Sequence, residues 1–119
     1  MPLSIDGLRA LLGDDGVVAG AALRARATSY WDSSPMQAQC LLRPRSTEQL
    51  SDLMRLCHAA AQPVVVLGGL TGTVAGAVAN EGCIAISLER MCAIEETDLV
   101  DGTCRVQAGI TLQAVQQAL

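Results

Sequence analysis

The sequence predicts a mixed α/β (α+β) fold in which a small β-sheet is flanked by helices. Three consecutive features predict it: an amphipathic helix over about residues 47–61, the β-branched segment PVVVL, and a glycine-rich loop at 68–76. Half of the 119 residues are hydrophobic but none is Phe, so the core must be built mainly from aliphatic side chains. A chain of this length forms one domain at most.

A short helix is predicted near the start of the chain. Ser4 or Asp6 can cap its first turn, because a side-chain oxygen at that place accepts a backbone N–H. Gly13 is placed to end the helix. The apolar residues recur on one helical face: Leu8, Leu11 and Leu12.

The next segment, residues 17–39, alternates small apolar and polar residues without a clear period. We expect its two aromatic residues, Tyr30 and Trp31, to cover the core. Ser33-Ser34-Pro35 predicts a loop. Residues 1–35 are therefore predicted to be a lead-in helix and loop, and residues 36–119 to form the main domain.

The signals become stronger from residue 40 onward. The segment CLL (40–42) stops at Arg43-Pro44 and predicts an edge strand. Ser46 and Gln49 are spaced as a capping box, in which each side chain bonds the backbone N–H of the other residue. A helix follows until a proline ends it. The segment PVVVL (63–67) lacks polar alternation, which is typical of a parallel strand buried on both faces.

Three more elements follow the glycine-rich loop. The segment CIAISL (83–88) predicts a strand whose residues Ile84, Ile86 and Leu88 share one side. Residues 94–97 and 103–108 predict an antiparallel hairpin, because Asp101-Gly102 supplies the positive φ of a tight turn. Thr111 can cap a last helix. The apolar pattern of that helix continues to the end of the chain (Leu112, Val115 and Leu119), so we expect a domain that is truncated at its C terminus.

Charge and cysteine content exclude several classes of function. Twelve acidic residues outnumber eight basic ones, all arginine, so the chain has no basic run for binding nucleic acid. Five cysteines without ligand spacing predict reduced thiols and no metal site. The apolar stretch at 64–79 is too short to span a bilayer. The first residues match neither a secretory nor a mitochondrial leader, so a cytoplasmic location is expected.

The glycine-rich loop is the candidate binding site. Glycines let a backbone approach a ligand closely, and consecutive N–H groups can then surround an anion such as pyrophosphate. The spacing excludes a Walker A loop, which needs lysine, and the GxGxxG fingerprint. A second interpretation stays open, in which the glycines only form a sharp turn between strands.

Four blocks of sequence carry a family resemblance. In chain order they are LRPRSTEQLSDLMRLC, PVVVLGGLTGTVAGAV, ISLERMCAIEETD and CRVQAGITLQAV. Together they resemble the FAD-binding domain of the vanillyl-alcohol oxidase type, also called the PCMH fold, and within it the glycolate oxidase and D-lactate dehydrogenase subgroup. The likeness covers about residues 36–119. It implies that this chain is the N-terminal part of a PCMH-type FAD-binding domain.

The resemblance implies that the loop holds the FAD pyrophosphate through backbone N–H groups and threonine hydroxyls. Thr71 stands where some relatives carry a flavin-linked histidine, so FAD would be bound noncovalently. Leu70 stands where the family usually has a third glycine, which would bring its Cβ close to the phosphates. The residues implied to bind the cofactor are Gly68, Gly69, Leu70, Thr71, Gly72, Thr73, Gly76 and Gly109.

The implied activity is that of an FAD-dependent oxidoreductase. A hydride from the α-carbon of a 2-hydroxy acid of the D-lactate or glycolate type would pass to the flavin. The family's catalytic base follows this segment, so no catalytic residue is assigned here. Two alternatives stay open: a noncatalytic assembly subunit, which a second polypeptide completes by docking on the last helix, and a truncated gene product without activity.

Titratable residues outside the loop have mostly structural interpretations. His58 is predicted to be a partly solvated residue near the end of its helix. Glu89 and Arg90 are expected either to position the cofactor or to end a strand with an ion pair. The cysteines are predicted to serve as small apolar core residues.

Overall fold

The computed structural model describes residues 3–73 and 75–119; position 74, inside the glycine-rich loop, and the first two positions lie outside it. The described residues form four helices and six strands, with a 3₁₀ turn at Asp14–Gly16. The helices are α1 (Ile5–Leu12), α2 (Gly20–Arg24), α3 (Thr47–Ala59) and α4 (Leu112–Ala118). The strands are β1 (Val17–Val18), β2 (Leu41–Leu42), β3 (Val64–Leu67), β4 (Ile84–Ser87), β5 (Ile94–Asp98) and β6 (Thr103–Val106).

The main sheet has the strand order β1-β2-β4-β3. β4 is parallel to both of its neighbours, with Leu41 opposite Ala85 on one side and Val64 opposite Ile84 on the other. β1 runs antiparallel to β2. The connection from β2 to the parallel strand β3 passes through α3, as a parallel sheet requires.

Successive residues of the central strands β2 and β4 belong to two separate hydrophobic clusters, one on each face of the sheet. Leu42, Ile84 and Ile86 belong to a cluster on the first face of the sheet, with leucines of α1 and Leu53 of α3. Leu41 and Ala85 belong to a cluster on the second face. This alternation follows from the two-residue period of a strand, and it places α1 and α3 on the first face.

Two predicted strand positions are wrong. CLL was expected at an edge, but β2 lies between β1 and β4 and both of its leucines are fully buried. PVVVL was expected to be buried on both faces, but β3 is the outer strand and Val66 is 51% exposed. Residue composition reports hydrophobicity, whereas the order of strands depends on partners far away in sequence.

The lead-in contributes to the sheet. It contains β1 and α2, although residues 17–39 carry no period from which either could be predicted. Leu23 of α2 is fully buried on the second face, with Met36 and Ala38. Residues before position 36 therefore complete the packing of the sheet, and the domain boundary placed there stays a prediction.

The predicted helix caps are confirmed. The Ser4 hydroxyl accepts the Gly7 N–H at 3.0 Å, and the Ser46 hydroxyl accepts the Gln49 N–H at 3.1 Å. The Gln49 side chain reaches back one residue further than expected, because its carbonyl oxygen accepts from the N–H of Arg45 at 2.8 Å. Each cap gives a backbone donor of the first helical turn a partner.

The predicted hairpin and last helix are confirmed. β5 and β6 pair antiparallel, and Gly102 has a φ of +69° in the turn between them. The Asp98 carboxylate accepts the N–H groups of Val100 and Asp101 within that turn. The Thr111 hydroxyl caps α4 by accepting from Ala114 at 3.1 Å.

Candidate cofactor-binding site

The glycine-rich loop leaves the main sheet at the carboxyl end of β3. Because β2, β4 and β3 are parallel, the residues that follow them, beginning with Arg43, Leu88 and Gly68, meet at one edge of the sheet. Ligands of open α/β sheets bind outside the carboxyl ends of parallel strands. The loop is therefore at the edge where a cofactor is expected.

The described backbone donors in the first part of the loop have no backbone acceptor. Among the residues that the structure describes, no backbone carbonyl accepts the N–H of any residue from Gly68 to Thr73. A Cβ built on Gly68, Gly69 or Gly72 would meet no heavy atom within 4 Å. Open space above a run of unused N–H groups is the arrangement that cradles an anion, and a pyrophosphate fits it.

The backbone angles of the loop show which of its residues need a positive φ. Among the described residues of the loop, Leu70 and Ala75 have a positive φ of +61°, whereas Gly68, Gly69 and Gly72 do not have a positive φ. A glycine that only forms a sharp turn is needed for its φ. These three glycines are therefore not required for a positive φ, and the space above them is open. Their role in ligand binding stays a prediction.

Leu70 carries strain that a glycine would not. A left-handed φ costs a residue with a Cβ roughly 1 kcal/mol. The Leu70 side chain is half-buried and packs against the cluster on the second face of the sheet. This packing offsets part of the strain. The predicted closeness of its Cβ to the phosphates stays a prediction.

Tyr30 and Trp31 lie beside the loop and do not cover the core. Their exposed fractions are 74% and 67%, so the prediction that they cover the core is wrong. The Tyr30 N–H donates to the Leu70 carbonyl at 3.0 Å, and the Trp31 indole N–H donates to the Thr71 carbonyl at 3.3 Å. We call residues 28–34 the aromatic turn. A polar tip on each ring favours a place at the surface over the core.

Hollows lie on two sides of Leu70. One, of about 350 Å³, is lined mainly by apolar atoms and lies between Trp31 and the loop residues Gly72, Thr73 and Gly76. The other, of about 420 Å³, lies between Tyr30, Gly68 and Glu89. Both volumes fall in the range of small-molecule sites. Thr71, whose carbonyl is bound by Trp31, lines neither hollow. The other predicted site residues of the loop each line at least one: Gly68, Gly69, Leu70, Gly72, Thr73 and Gly76.

Glu89 forms an ion pair at the same edge, but not with Arg90. Its carboxylate lies 2.8 Å from the Arg26 guanidinium and 3.6 Å from that of Arg43. Burial acts to raise the pKa of Glu89, but hydrogen bonds from Arg26 and Ser87 and the two positive charges hold that pKa below its ordinary value. Arg90 donates to the Arg43 carbonyl instead. Glu89 thus ties the lead-in to the end of β4.

Gly109 is required for close packing. A Cβ on this residue would lie 1.6 Å from the carbonyl oxygen of Leu88. Its N–H donates to the Met91 carbonyl at 2.8 Å, so this donor is already used. Leu88 in turn bonds the carbonyl of Leu67, the residue before the loop. Gly109 therefore lies near the candidate site, and its role in binding stays a prediction.

The remaining titratable residues give no second site. His58 is exposed near the end of α3. Of the five free cysteines, Cys40, Cys57 and Cys83 are buried, and burial raises the pKa of the Cys40 thiol to about 11. Within residues 3–73 and 75–119, no group of three or more His, Cys, Asp or Glu residues could hold a metal ion. Over the same residues, no helix has both the length and the apolar character to cross a membrane.

Solved structures share this fold. An alkyldihydroxyacetonephosphate synthase superposes with a TM-score of 0.81 over 96% of this chain and 24% of its own, at 22% identity. A p-cresol methylhydroxylase superposes with a TM-score of 0.73 over 95% of this chain, at 18% identity. The predicted mixed α/β fold of the PCMH type is confirmed.

Curated relatives are longer than this chain. A D-2-hydroxyglutarate dehydrogenase of Xanthomonas citri pv. viticola is 38% identical over 91 residues, which are 76% of this chain and 19% of the relative. A protein of Danio rerio named probable D-lactate dehydrogenase, mitochondrial, is 29% identical over 97% of this chain and 23% of its own length. This chain thus spans about a fifth of these relatives.

A family model matches most of the chain. The model is described as an FAD binding domain, and it matches residues 38–119. The matched range begins just before β2 and includes the parallel strands, the glycine-rich loop, the hairpin and α4. With the four blocks of sequence and the fold in agreement, the chain belongs to the FAD-binding domain family of the PCMH type.

Proposed function

We propose that this chain is the FAD-binding part of a flavin-dependent oxidoreductase that acts on a 2-hydroxy acid. The observation that carries the proposal is the run of N–H groups from Gly68 to Thr73, which no backbone carbonyl of the described residues accepts, with open space above its glycines, at the carboxyl edge of a parallel sheet. Bound FAD supplies the hydride acceptor for oxidation of the substrate α-carbon.

The residues of this chain contribute binding rather than proton transfer. The N–H groups of the loop would hold the pyrophosphate, and the exposed hydroxyls of Thr71 and Thr73 can donate to its oxygens. The chain is acidic overall, with a formal charge of -4, so these dipoles rather than a field of net positive charge would attract the phosphates. No histidine lies in the loop, which supports noncovalent binding.

The names of the relatives support a substrate class. D-2-hydroxyglutarate and D-lactate are both 2-hydroxy acids, and they occur in the names of the relatives from Xanthomonas and Danio. The catalytic base and the substrate contacts would belong to the parts of those longer proteins that this chain does not match. Identification of the acid therefore needs the complete protein.

Flavin binding tests the proposal directly. We expect protein purified from cells to be yellow, to release FAD on denaturation, or to bind added FAD with quenching of flavin fluorescence. Gly69→Ala places a methyl group in the open cradle and should weaken FAD binding about tenfold. Gly82→Ala is the matched control, because this residue lies in a turn outside the loop and its Cβ would meet only the Asn80 side-chain oxygen, at 3.4 Å. A wild-type protein that binds no FAD would refute the proposal.

A complete protein carrying this segment allows the substrate class to be tested. Under anaerobic conditions, D-lactate, D-2-hydroxyglutarate or glycolate should bleach the flavin absorbance of that protein. Bleaching by none of the three would remove the 2-hydroxy-acid assignment and leave FAD binding unaffected.

An assembly subunit is the second candidate function. Leu112 and Leu119 on α4 are 72% and 69% exposed, and such an apolar surface favours a partner. A second polypeptide packed on α4 would cover it. Gel filtration would count against this candidate if the chain, at high concentration, stayed a monomer.

A cytoplasmic location is also a proposal. Its support is the set of five free thiols, which favours a reducing compartment. A fluorescent fusion of the complete protein that gathers in another compartment would refute it.

A further inference from the structure

The aromatic turn makes contacts that the cofactor proposal does not use. It is closed by its own hydrogen bonds: the Ser29 hydroxyl accepts the N–H groups of Trp31 and Asp32, and the Asp32 carboxylate accepts the Ser34 N–H at 2.9 Å. The Thr28 N–H donates to the Ser34 carbonyl at 2.9 Å. These bonds fix the turn as a local unit. The exposed Tyr30 and Trp31 are therefore held against the loop although neither is buried.

The two bonds to the loop end on consecutive carbonyls. The Tyr30 N–H binds the carbonyl of Leu70, and the Trp31 indole N–H binds the carbonyl of Thr71. Side-chain and backbone donors of the turn thus hold two successive peptide units. A turn that merely lay near the loop would not need to bind both.

These two hydrogen bonds fix the directions of two N–H groups, because each peptide unit is planar. In a planar trans peptide the C=O and the next N–H point in opposite directions, and the described residues contain no cis peptide bond. The Leu70 carbonyl faces Tyr30, so the Thr71 N–H points away from the aromatic turn. The Thr71 carbonyl faces Trp31, so the Gly72 N–H also points away. The left-handed φ of Leu70 is the angle that such N–H concavities use.

We propose that Trp31 is a positioning residue of the cofactor site, which aims the Gly72 N–H at the pyrophosphate by holding the Thr71 carbonyl. This inference rests on the proposed function, because it assigns Trp31 a role in the binding of FAD by the same loop. Tyr30 orients the Thr71 N–H in the same way, but with its backbone N–H, which binds the Leu70 carbonyl. The loop recognises the two linked phosphoryl groups of FAD. Trp31 contacts the loop and not the phosphates.

The difference between backbone and side-chain donors provides a matched pair of variants. Trp31→Phe removes the indole N–H and keeps an aromatic ring at an exposed position. Tyr30→Phe keeps the backbone N–H that binds Leu70, so its bond to the loop survives. Loss of one hydrogen bond should weaken FAD binding roughly threefold to tenfold in Trp31→Phe. Tyr30→Phe keeps its ring and its backbone bond to the loop, so it should lower FAD affinity by clearly less than Trp31→Phe does.

Amide resonances test the mechanism residue by residue. In the 15N-labelled chain, FAD should shift the Thr71 and Gly72 amide resonances in the wild type and in Tyr30→Phe. In Trp31→Phe the Gly72 shift should shrink while the Thr71 shift persists, which a general loss of folding would not produce. Equal FAD affinity and equal Gly72 shifts in the two variants would overturn the proposal.

A failure of the proposed function remains distinguishable from a failure of this inference. If the wild-type chain binds no FAD, the cofactor proposal falls, and the ligand-free spectra decide whether Trp31 orients the loop. Trp31→Phe should then move the Gly72 resonance more than Tyr30→Phe does. Equal effects of the two variants on the ligand-free loop would refute the positioning role.

Discussion

In the main sheet, β2 and β4 are buried along their whole length, whereas no residue of the C-terminal arm, residues 92–119, is buried. The arm nonetheless has an antiparallel hairpin, with a register shift between Ile94 and Glu96, a turn glycine and a capped helix. Caps and turns therefore specify the helix and the hairpin of the arm as clearly as they specify the elements around the main sheet. They do not give the arm a hydrophobic core. The arm is joined to the sheet edge by close backbone packing at Gly109.

The largest difference between the two regions is expected from apolar truncations. Leu53→Ala removes a fully buried side chain between α3 and the first face of the sheet, and should cost about 2–5 kcal/mol of unfolding free energy. Leu112→Ala in the exposed face of α4 should change it by less than about 0.5 kcal/mol. Urea unfolding measures both, and equal losses would show that the arm has a hidden core.

The junction between the regions should be nearly as sensitive. Gly109→Ala places a Cβ within 1.6 Å of the Leu88 carbonyl oxygen, and the backbone must shift at a cost of about 1–3 kcal/mol. Gly68→Ala, where a Cβ meets open space, is the control and should leave stability within about 0.5 kcal/mol of wild type. Thermal unfolding of the two variants compares them. Indistinguishable melting temperatures would contradict the close packing.

Helix caps provide a finer comparison. Ser46→Ala removes the acceptor for the Gln49 N–H in α3 and should cost about 1 kcal/mol of global stability. Thr111→Ala removes the same kind of bond from α4. Because α4 has no buried residue, the second variant should show faster amide exchange in α4 alone. Global loss of stability in both would mean that the arm and the sheet unfold as one unit.

The smallest effect concerns pH at the edge between the regions. Since the pKa of Glu89 in the folded state lies below its ordinary value of 4.5, its contribution to stability is fully present above that value. It is lost as the pH falls through the lower folded-state pKa. The wild type should therefore lose slightly more stability than Glu89→Gln between pH 7 and about pH 3, by under about 1 kcal/mol for this half-exposed pair. Unfolding curves at the two pH values measure the difference.

Sequence patterns predicted the parts of the fold that short-range chemistry controls. The caps at Ser4, Ser46 and Thr111 and the turn at Gly102 each depend on residues within three or four positions. The parallel pairing of the PVVVL strand was also predicted, from its lack of polar alternation. The glycine-rich loop was recognised by its residues, and its place at the carboxyl edge follows from the parallel pairing.

Features that depend on distant partners could not be predicted. A strand of two residues, such as β1 or β2, is too short to show a period, so the order of the strands was not accessible. Trp31 contacts a loop 40 positions away, and no local pattern reports such a bond. The left-handed φ of Leu70 was not predicted either, although its position among glycines indicated that the backbone there can require a positive φ.

The strand order has a consequence for the time course of folding. β2 and β3 do not pair with one another; each pairs with β4, which is made after both of them. During synthesis the ribosome must therefore release residues up to Ser87 before either parallel ladder can close. Until then β2 and β3, which flank α3 in the chain, have no central partner. β4 is the last strand of the main sheet to emerge, and it completes that sheet.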